Sequence, residues 1–285
     1  MTLHFAPLHP LFAVEVGGLD LAAPLDAPTL RALREALRAH RLLVFRGQRL
    51  SRAEQVAFTQ GLGSPALHVV AGLRSPDRPE VVLEAGTVNG REGFGLGDLR
   101  WHADLSYTAR PNRVSTLHAR SLPPTGGATL FADQCAAHDR LDPWLAHRVQ
   151  FLEAEHDPAL RRAPGATAAA QEPLPTVAHP VVRLDPETGR RGLFVDEDTT
   201  TRLLGVTEPE ATRLLRRLCA AATDPAVTYR HAWRPHDLVV WDNLAVLHRA
   251  EARATGEDWQ LHRTMVAGGS PFGPASVTQA WVVAG

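Results

Sequence analysis

The chain has 285 residues, 44% of them hydrophobic, with 30 basic and 31 acidic side chains for a formal net charge of −1. That length allows one large domain or two modest ones with a sizeable core, and the balanced charge excludes a global field toward nucleic acid or a membrane surface. The two cysteines, Cys135 and Cys219, are too few for a disulfide framework or a thiolate metal site and fit a reducing compartment. "MTLHFAPLHPLFAVEV" lacks the basic-then-apolar pattern of a secretory signal, and no apolar run reaches the roughly 20 residues of a bilayer span. A cytoplasmic location is expected.

In chain order, "FAVEV" (Phe12–Val16) alternates like a short strand. Ala27–His40 carries Leu30, Leu33 and Leu37 at helical spacing, with Asp26 or Thr29 placed to cap it. "RLLVFRGQ" reads as a buried strand ending in a turn glycine, and Ser51 followed by Glu54 forms a capping-box pattern. Strand signals then dominate: Arg113–Leu122, Ala128–Asp133, His179–Asp185, Gly192–Asp196, Val227–Trp233, His236–Asn243 and His262–Gly268 are short, β-branched and separated by turns. Helices are expected near Ala136–Val149 and at Glu208–Ala221. Between them Arg161–Thr176 is small, Pro-rich and polar, a candidate mobile lid. This pattern predicts a mostly β fold with peripheral α, a sandwich or jelly roll, in one domain whose first 65 residues form an α/β portion packed on it.

The chemistry concentrates in "LRWHADLSY". His102 and Asp104 lie at i and i+2, so on an extended segment both point to one face and can share an ion. A second histidine from a distant strand would complete a 2-His-1-carboxylate set, which leaves open positions on iron(II). His248 in "AVLHRA", set among apolar residues, is the candidate. Its bland alternative is a histidine satisfied by a backbone carbonyl. Arg263 alternates with Leu261, Met265 and Ala267, so it is expected to point inward and to need an anion. That anion is either a bound carboxylate or a structural acid at a sheet end.

Together these segments resemble the taurine dioxygenase-like family of iron(II)/2-oxoglutarate-dependent oxygenases. "GGLDLAAPLD", "HRLLVFRGQRLS", "WHADLSY", "PNRVSTLHARSLPPTGGATLFAD", "HPVVRLDPETGRRGLFVDEDTTTRL" and "WRPHDLVVWDNLAVLHRA…LHRTMVAG" occur in the family's order. The resemblance implies a double-stranded β-helix (jelly roll) and an iron held by His102, Asp104 and His248. It also implies 2-oxoglutarate as co-substrate with its distal carboxylate on Thr129, and a substrate pocket that includes His68, Asp98 and Leu105. Dioxygen is the oxidant, a small molecule the substrate, and relatives are often homo-oligomers. The carboxylate at Asp104 favours hydroxylation over halogenation.

One position departs from the pattern. The family carries two inward arginines near its C-terminus; the second is Arg263, but the first is Trp259. Indole offers one N–H and no charge, and losing a charge-assisted fork costs about 2–5 kcal/mol unless replaced. Three readings follow. Arg263 takes over the co-substrate carboxylate; Arg249 or Arg253 swings in; or 2-oxoglutarate is not used in the usual way. A degenerate metal-binding member without turnover and a cupin-like isomerase or hydrolase are the alternatives from other classes.

Overall fold

The computed structural model describes residues 3–85, 87–88, 91–92, 100–122, 127–161, 174–251 and 259–274. Strand β1 (His4–Pro7) pairs antiparallel with β2 (Val14–Gly17). The strand expected from Phe12 begins only at Val14 because Ala13 has φ 63, a left-handed conformation that interrupts an extended run. Helix α1 (Ala27–His40) starts where Asp26 accepts from the Thr29 amide at 2.8 Å and stops at Arg41, whose φ of 61 turns the chain out of the helix. Strand β3 (Leu42–Phe45) follows, then α2 (Arg52–Leu62), which carries the reciprocal Ser51–Glu54 capping box.

Short strands β4 (Pro65–Ala66), β5 (Val82–Ala85), β6 (Thr87–Val88) and β7 (Arg91–Glu92) come next, followed by β8 (Val114–Ser121) and β9 (Ala128–Asp133). The single helix expected near Ala136–Val149 is two, α3 (Gln134–Asp139) and α4 (Pro143–Val149). Asp142 accepts from the Leu145 amide at 3.0 Å and starts a new helix, and Pro143 lacks the N–H that would continue the old one. Strands β10 (Glu153–His156), β11 (Val177–Pro180), β12 (Val182–Leu184), β13 (Arg191–Leu193) and β14 (Thr200–Leu203) lead to α5 (Glu208–Ala222). The chain closes with β15 (Thr228–Ala232), β16 (Leu238–Asp242), β17 (Val246–Ala250) and β18 (Gln260–Val266). Residues 162–173 of the expected lid lie outside the described residues.

The chain groups into two units. The first is built on an 8-stranded sheet in the order β1-β2-β3-β16-β8-β18-β4, with β5 also paired to β18. Both faces of this sheet are covered, which is why "LLVF" and "LVVW" are unbroken apolar runs rather than alternating ones. One face packs Leu43, Phe45, Leu238 and Val240 against Leu33 and Leu37 of α1 and Phe58 of α2. The other packs Leu42, Val44, Leu117, Val239 and Trp241 with Phe131, Val246, Trp259 and Leu261. Burial of each large apolar side chain here contributes about 1.5–3 kcal/mol. A 3-stranded sheet β15-β9-β17 carries Thr129 and His248. The second unit holds the sheets β11-β10-β14 and β12-β13 with α3, α4 and α5. Helix α5 buries Ala211, Leu214, Leu218 and Ala222, one stripe at helical spacing.

Candidate active site

His102 and Asp104 do not sit on the extended segment expected of them. His102 holds a lone bridge position, and Asp104–Tyr107 form a turn in which Leu105 has φ 56. A bulky residue in the left-handed region is strained and persists only where its surroundings impose it. Those surroundings are hydrogen bonds: the Leu105 carbonyl accepts from the Thr108 amide at 2.9 Å and the Thr108 hydroxyl at 2.8 Å. The turn still brings the pair together, with His102 Nε2 3.9 Å from Asp104 Oδ1.

Further anchors come from a buried polar network that the sequence did not point to. Ser106 Oγ reaches Asp196 Oδ2 at 3.1 Å and Thr199 Oγ1 at 2.9 Å. Asp196 also accepts from the Thr199 amide at 2.6 Å and the Asp198 amide at 2.9 Å. His156 Nδ1 meets Thr199 Oγ1 at 2.9 Å, and His179 Nε2 donates to the Thr108 carbonyl at 2.9 Å. Burial pushes both histidines down to about 4, so they are neutral donors and acceptors here. It pushes the Asp196 carboxyl up, against the hydrogen bonds from Thr199 and Ser106. The signal available in the sequence was "DEDTTT", an acid followed by hydroxyls at turn spacing.

His102 Nδ1 lies 2.9 Å from the Arg100 carbonyl. A carbonyl only accepts, so Nδ1 carries the hydrogen and Nε2 presents a lone pair, the tautomer a metal requires. His248 sits on β17, as the sequence suggested, 3% exposed, its ring stacked on Phe131 at 6.2 Å and tilted against Trp241 at 4.9 Å. One ligand atom from each of His102, Asp104 and His248 lies within 4.8 Å of the other two, and all three side chains are buried. Two imidazoles and one carboxylate in that arrangement suit iron(II) with open positions.

Arg263 points inward as expected, but it meets an acid of its own chain. Its Nε donates to Glu84 Oε1 at 2.5 Å, with only 9% and 10% of the two side chains exposed. Register explains the contact, since β5 pairs with β18 so that Glu84 lies opposite Leu261 and Val82 opposite Arg263. Arg263 Nη1 stands 3.4 Å from His248 Nε2, and its guanidinium lies 5.4 Å from the centre of the Trp241 ring. The sequence sign of Glu84 was a single acid inside the apolar run "VVLEA".

Thr129 on β9 is 3% exposed, and its Oγ1 accepts from Trp233 Nε1 at 3.0 Å. Trp259 immediately precedes β18, is 1% exposed and packs with Trp241, Val246 and Leu261. Leu105 is 5% exposed in the turn Asp104–Tyr107. His68 lies between β4 and β5, half-buried, its Nδ1 accepting from the Val70 amide at 3.1 Å. Asp98 and Arg253 lie outside the described residues. Arg249 follows His248 on β17, so strand alternation turns it to the opposite face.

The model of the taurine catabolism dioxygenase TauD, TfdA family matches residues 4–265. The chain belongs to this family. It is similar to the alpha-ketoglutarate-dependent 2,4-dichlorophenoxyacetate dioxygenase of Burkholderia sp. (strain RASC), with 32% identity over 94% of this chain and 95% of that one. The structure of a taurine dioxygenase from Burkholderia xenovorans superposes with a TM-score of 0.82 and 32% identity, covering 96% of this chain and 92% of that one. The structure of AAD-2 in complex with Mn(II) and N-oxalylglycine gives 0.79 at 30% identity, covering 95% and 99%. The TauD/TfdA fold is the jelly roll, in agreement with the mostly β reading. This TauD/TfdA member is an iron(II)/2-oxoglutarate-dependent dioxygenase that oxygenates a small molecule. Its cofactors are iron(II), 2-oxoglutarate as co-substrate and dioxygen.

Proposed function

We propose that His102, Asp104 and His248 hold the iron and that Thr129 and Arg263 face the tail of the 2-oxo acid, beside a substrate pocket that includes Leu105 and His68. The observation that carries this reading is the buried convergence of two imidazoles and a carboxylate within 4.8 Å. When bound, iron(II) supplies open positions on which the keto acid and dioxygen meet. The protein's part is positional. The Arg100 carbonyl fixes the His102 tautomer, the Ser106–Asp196–Thr199 network holds the turn, and the Phe131 and Trp241 rings keep water from His248.

Trp259, buried among core side chains, acts as a pocket wall and not as a carboxylate ligand. Arg263 therefore stands in for the missing arginine, a reading supported by its 3.4 Å approach to His248. The substrate presents to this site the C–H bond that is hydroxylated. Asp98, an acid in the segment before that turn, favours an amine-bearing substrate over an anion such as the 2,4-dichlorophenoxyacetate named for one relative.

The test is iron content and coupled turnover. Wild-type protein reconstituted without oxygen is expected to hold one iron per chain and, on aeration with 2-oxoglutarate, to form succinate with oxygen uptake. His102→Ala removes one of three ligands and is expected to lose the iron. Full iron content in His102→Ala would refute the ligand assignment.

A further inference from the structure

Glu84 bears on which 2-oxo acid this site accepts. A dianionic co-substrate calls for a cation at its tail, yet Arg263 already shares a 2.5 Å ion pair with Glu84 in a largely buried setting. The position where the family resemblance implies the first of two arginines holds Trp259, which brings one N–H and no charge. Arg249 is turned to the other face of β17 by strand alternation. Thr129 offers a neutral hydroxyl whose oxygen takes the Trp233 indole N–H. Such donors hydrogen-bond an amide or carbonyl tail as well as a carboxylate, whereas a buried carboxylate without a net cation pays the full cost of desolvation.

We propose that Glu84 is a specificity-determining residue for the co-substrate: by cancelling the charge of Arg263 it lets 2-oxo acids with uncharged tails serve nearly as well as 2-oxoglutarate. The inference rests on the reading of His102, Asp104 and His248 as iron ligands with Arg263 at the tail of the keto acid. The reaction balances as for 2-oxoglutarate. 2-Oxovalerate, dioxygen and a substrate C–H give butyrate, carbon dioxide and the alcohol. The C1–C2 bond of the 2-oxo acid breaks, one oxygen atom enters the new carboxylate and the other the C–H bond. Oxidative decarboxylation and the C–H bond each supply two of the four electrons that reduce dioxygen.

Binding, not turnover, decides the matter. The iron(II)-loaded full-length protein is titrated without oxygen with 2-oxoglutarate, with its distal monoamide 2-oxoglutaramate and with 2-oxovalerate. The visible band of the chelated keto acid is followed. In the wild type the three dissociation constants are expected to fall within about tenfold of one another. Glu84→Gln keeps the side-chain shape and removes the negative charge beside Arg263. It should tighten 2-oxoglutarate by about 10- to 100-fold, the range of a charge-assisted hydrogen bond, and leave the two uncharged-tail acids within about threefold. A wild-type preference for 2-oxoglutarate above roughly tenfold overturns the proposal, as does an unchanged ratio in Glu84→Gln. Should Glu84→Gln fail to fold, the wild-type ratio alone decides. A band with none of the three acids, despite bound iron, refutes the underlying reading of the site and is a distinct result.

Discussion

Lowering the pH is expected to unfold this protein well before ordinary carboxylates titrate, because four buried histidines are neutral in the native state. His118, His156 and His179 are each pushed down to about 4 and His262 to about 3, in every case chiefly by burial. None is more than 3% exposed, so solvent does little to soften the penalty. A native pKa below the unfolded value of about 6.5 means that the unfolded chain binds more protons. The contribution is therefore complete above about pH 6.5 and drains away as pH falls toward 4 and 3. Each histidine loses about 1.4 kcal/mol per pH unit below 6.5, so the four together lose on the order of 5 kcal/mol by pH 5.5. Against a typical stability of about 5–15 kcal/mol that loss is large. The assay is urea unfolding of metal-free protein at pH 7.5 and pH 5.5, followed by far-ultraviolet circular dichroism, with chelator present so that iron release does not contribute. A midpoint unmoved between the two pH values would show that these side chains are hydrated in the native state and would refute the reasoning.

Two substitutions test how the site is held. Ser106→Ala removes the hydroxyl that ties the turn at the proposed metal site to Asp196 and Thr199 and leaves a buried carboxylate short of a donor, at a cost of about 1–3 kcal/mol. Iron affinity should fall with it by about 10- to 100-fold, as expected when a group that orients a ligand is lost, and dialysis against a graded chelator would read it. Unchanged affinity alongside reduced stability would mean that the network supports the fold alone. Trp233→Phe keeps an aromatic ring but removes the N–H on Thr129, so the threonine hydroxyl loses its fixed direction. Binding of 2-oxoglutarate should weaken by about 3- to 10-fold, the worth of one neutral hydrogen bond. Isothermal titration of the iron(II) protein measures this, and equal affinity in the variant would remove Thr129 from the co-substrate site.

Much of this was legible in the sequence wherever local chemistry decides structure. The Ser51–Glu54 box and the Asp26 cap are nearest-neighbour devices, and both helices start where those residues place them. His248 on a strand among apolar residues was equally plain. The turn at Asp104–Tyr107 was not, because H-x-D reads the same on a strand or a turn. What bends the segment is Asp196, Thr199, His156 and His179, all distant in sequence. Likewise the inward direction of Arg263 followed from alternation, but its partner depended on the β5–β18 register, which no spacing within either strand encodes.

The formal charges give the strongest link between these observations. Iron(II) with Asp104 leaves one net positive charge at the proposed metal site, and the Arg263–Glu84 pair adds none. Added to these described groups, a 2-oxo acid with an uncharged tail is a monoanion and brings their sum to neutrality; 2-oxoglutarate is a dianion and leaves it one negative charge in excess. An arginine at position 259 would restore the balance for the dianion, so the tryptophan there and the glutamate at 84 act in the same direction. A buried ion pair is seldom the most stable choice, since apolar residues of similar volume do as well or better. On the proposed reading of the site, Arg263, 3.4 Å from His248, and its partner Glu84 together tune charge and direction at the co-substrate's tail.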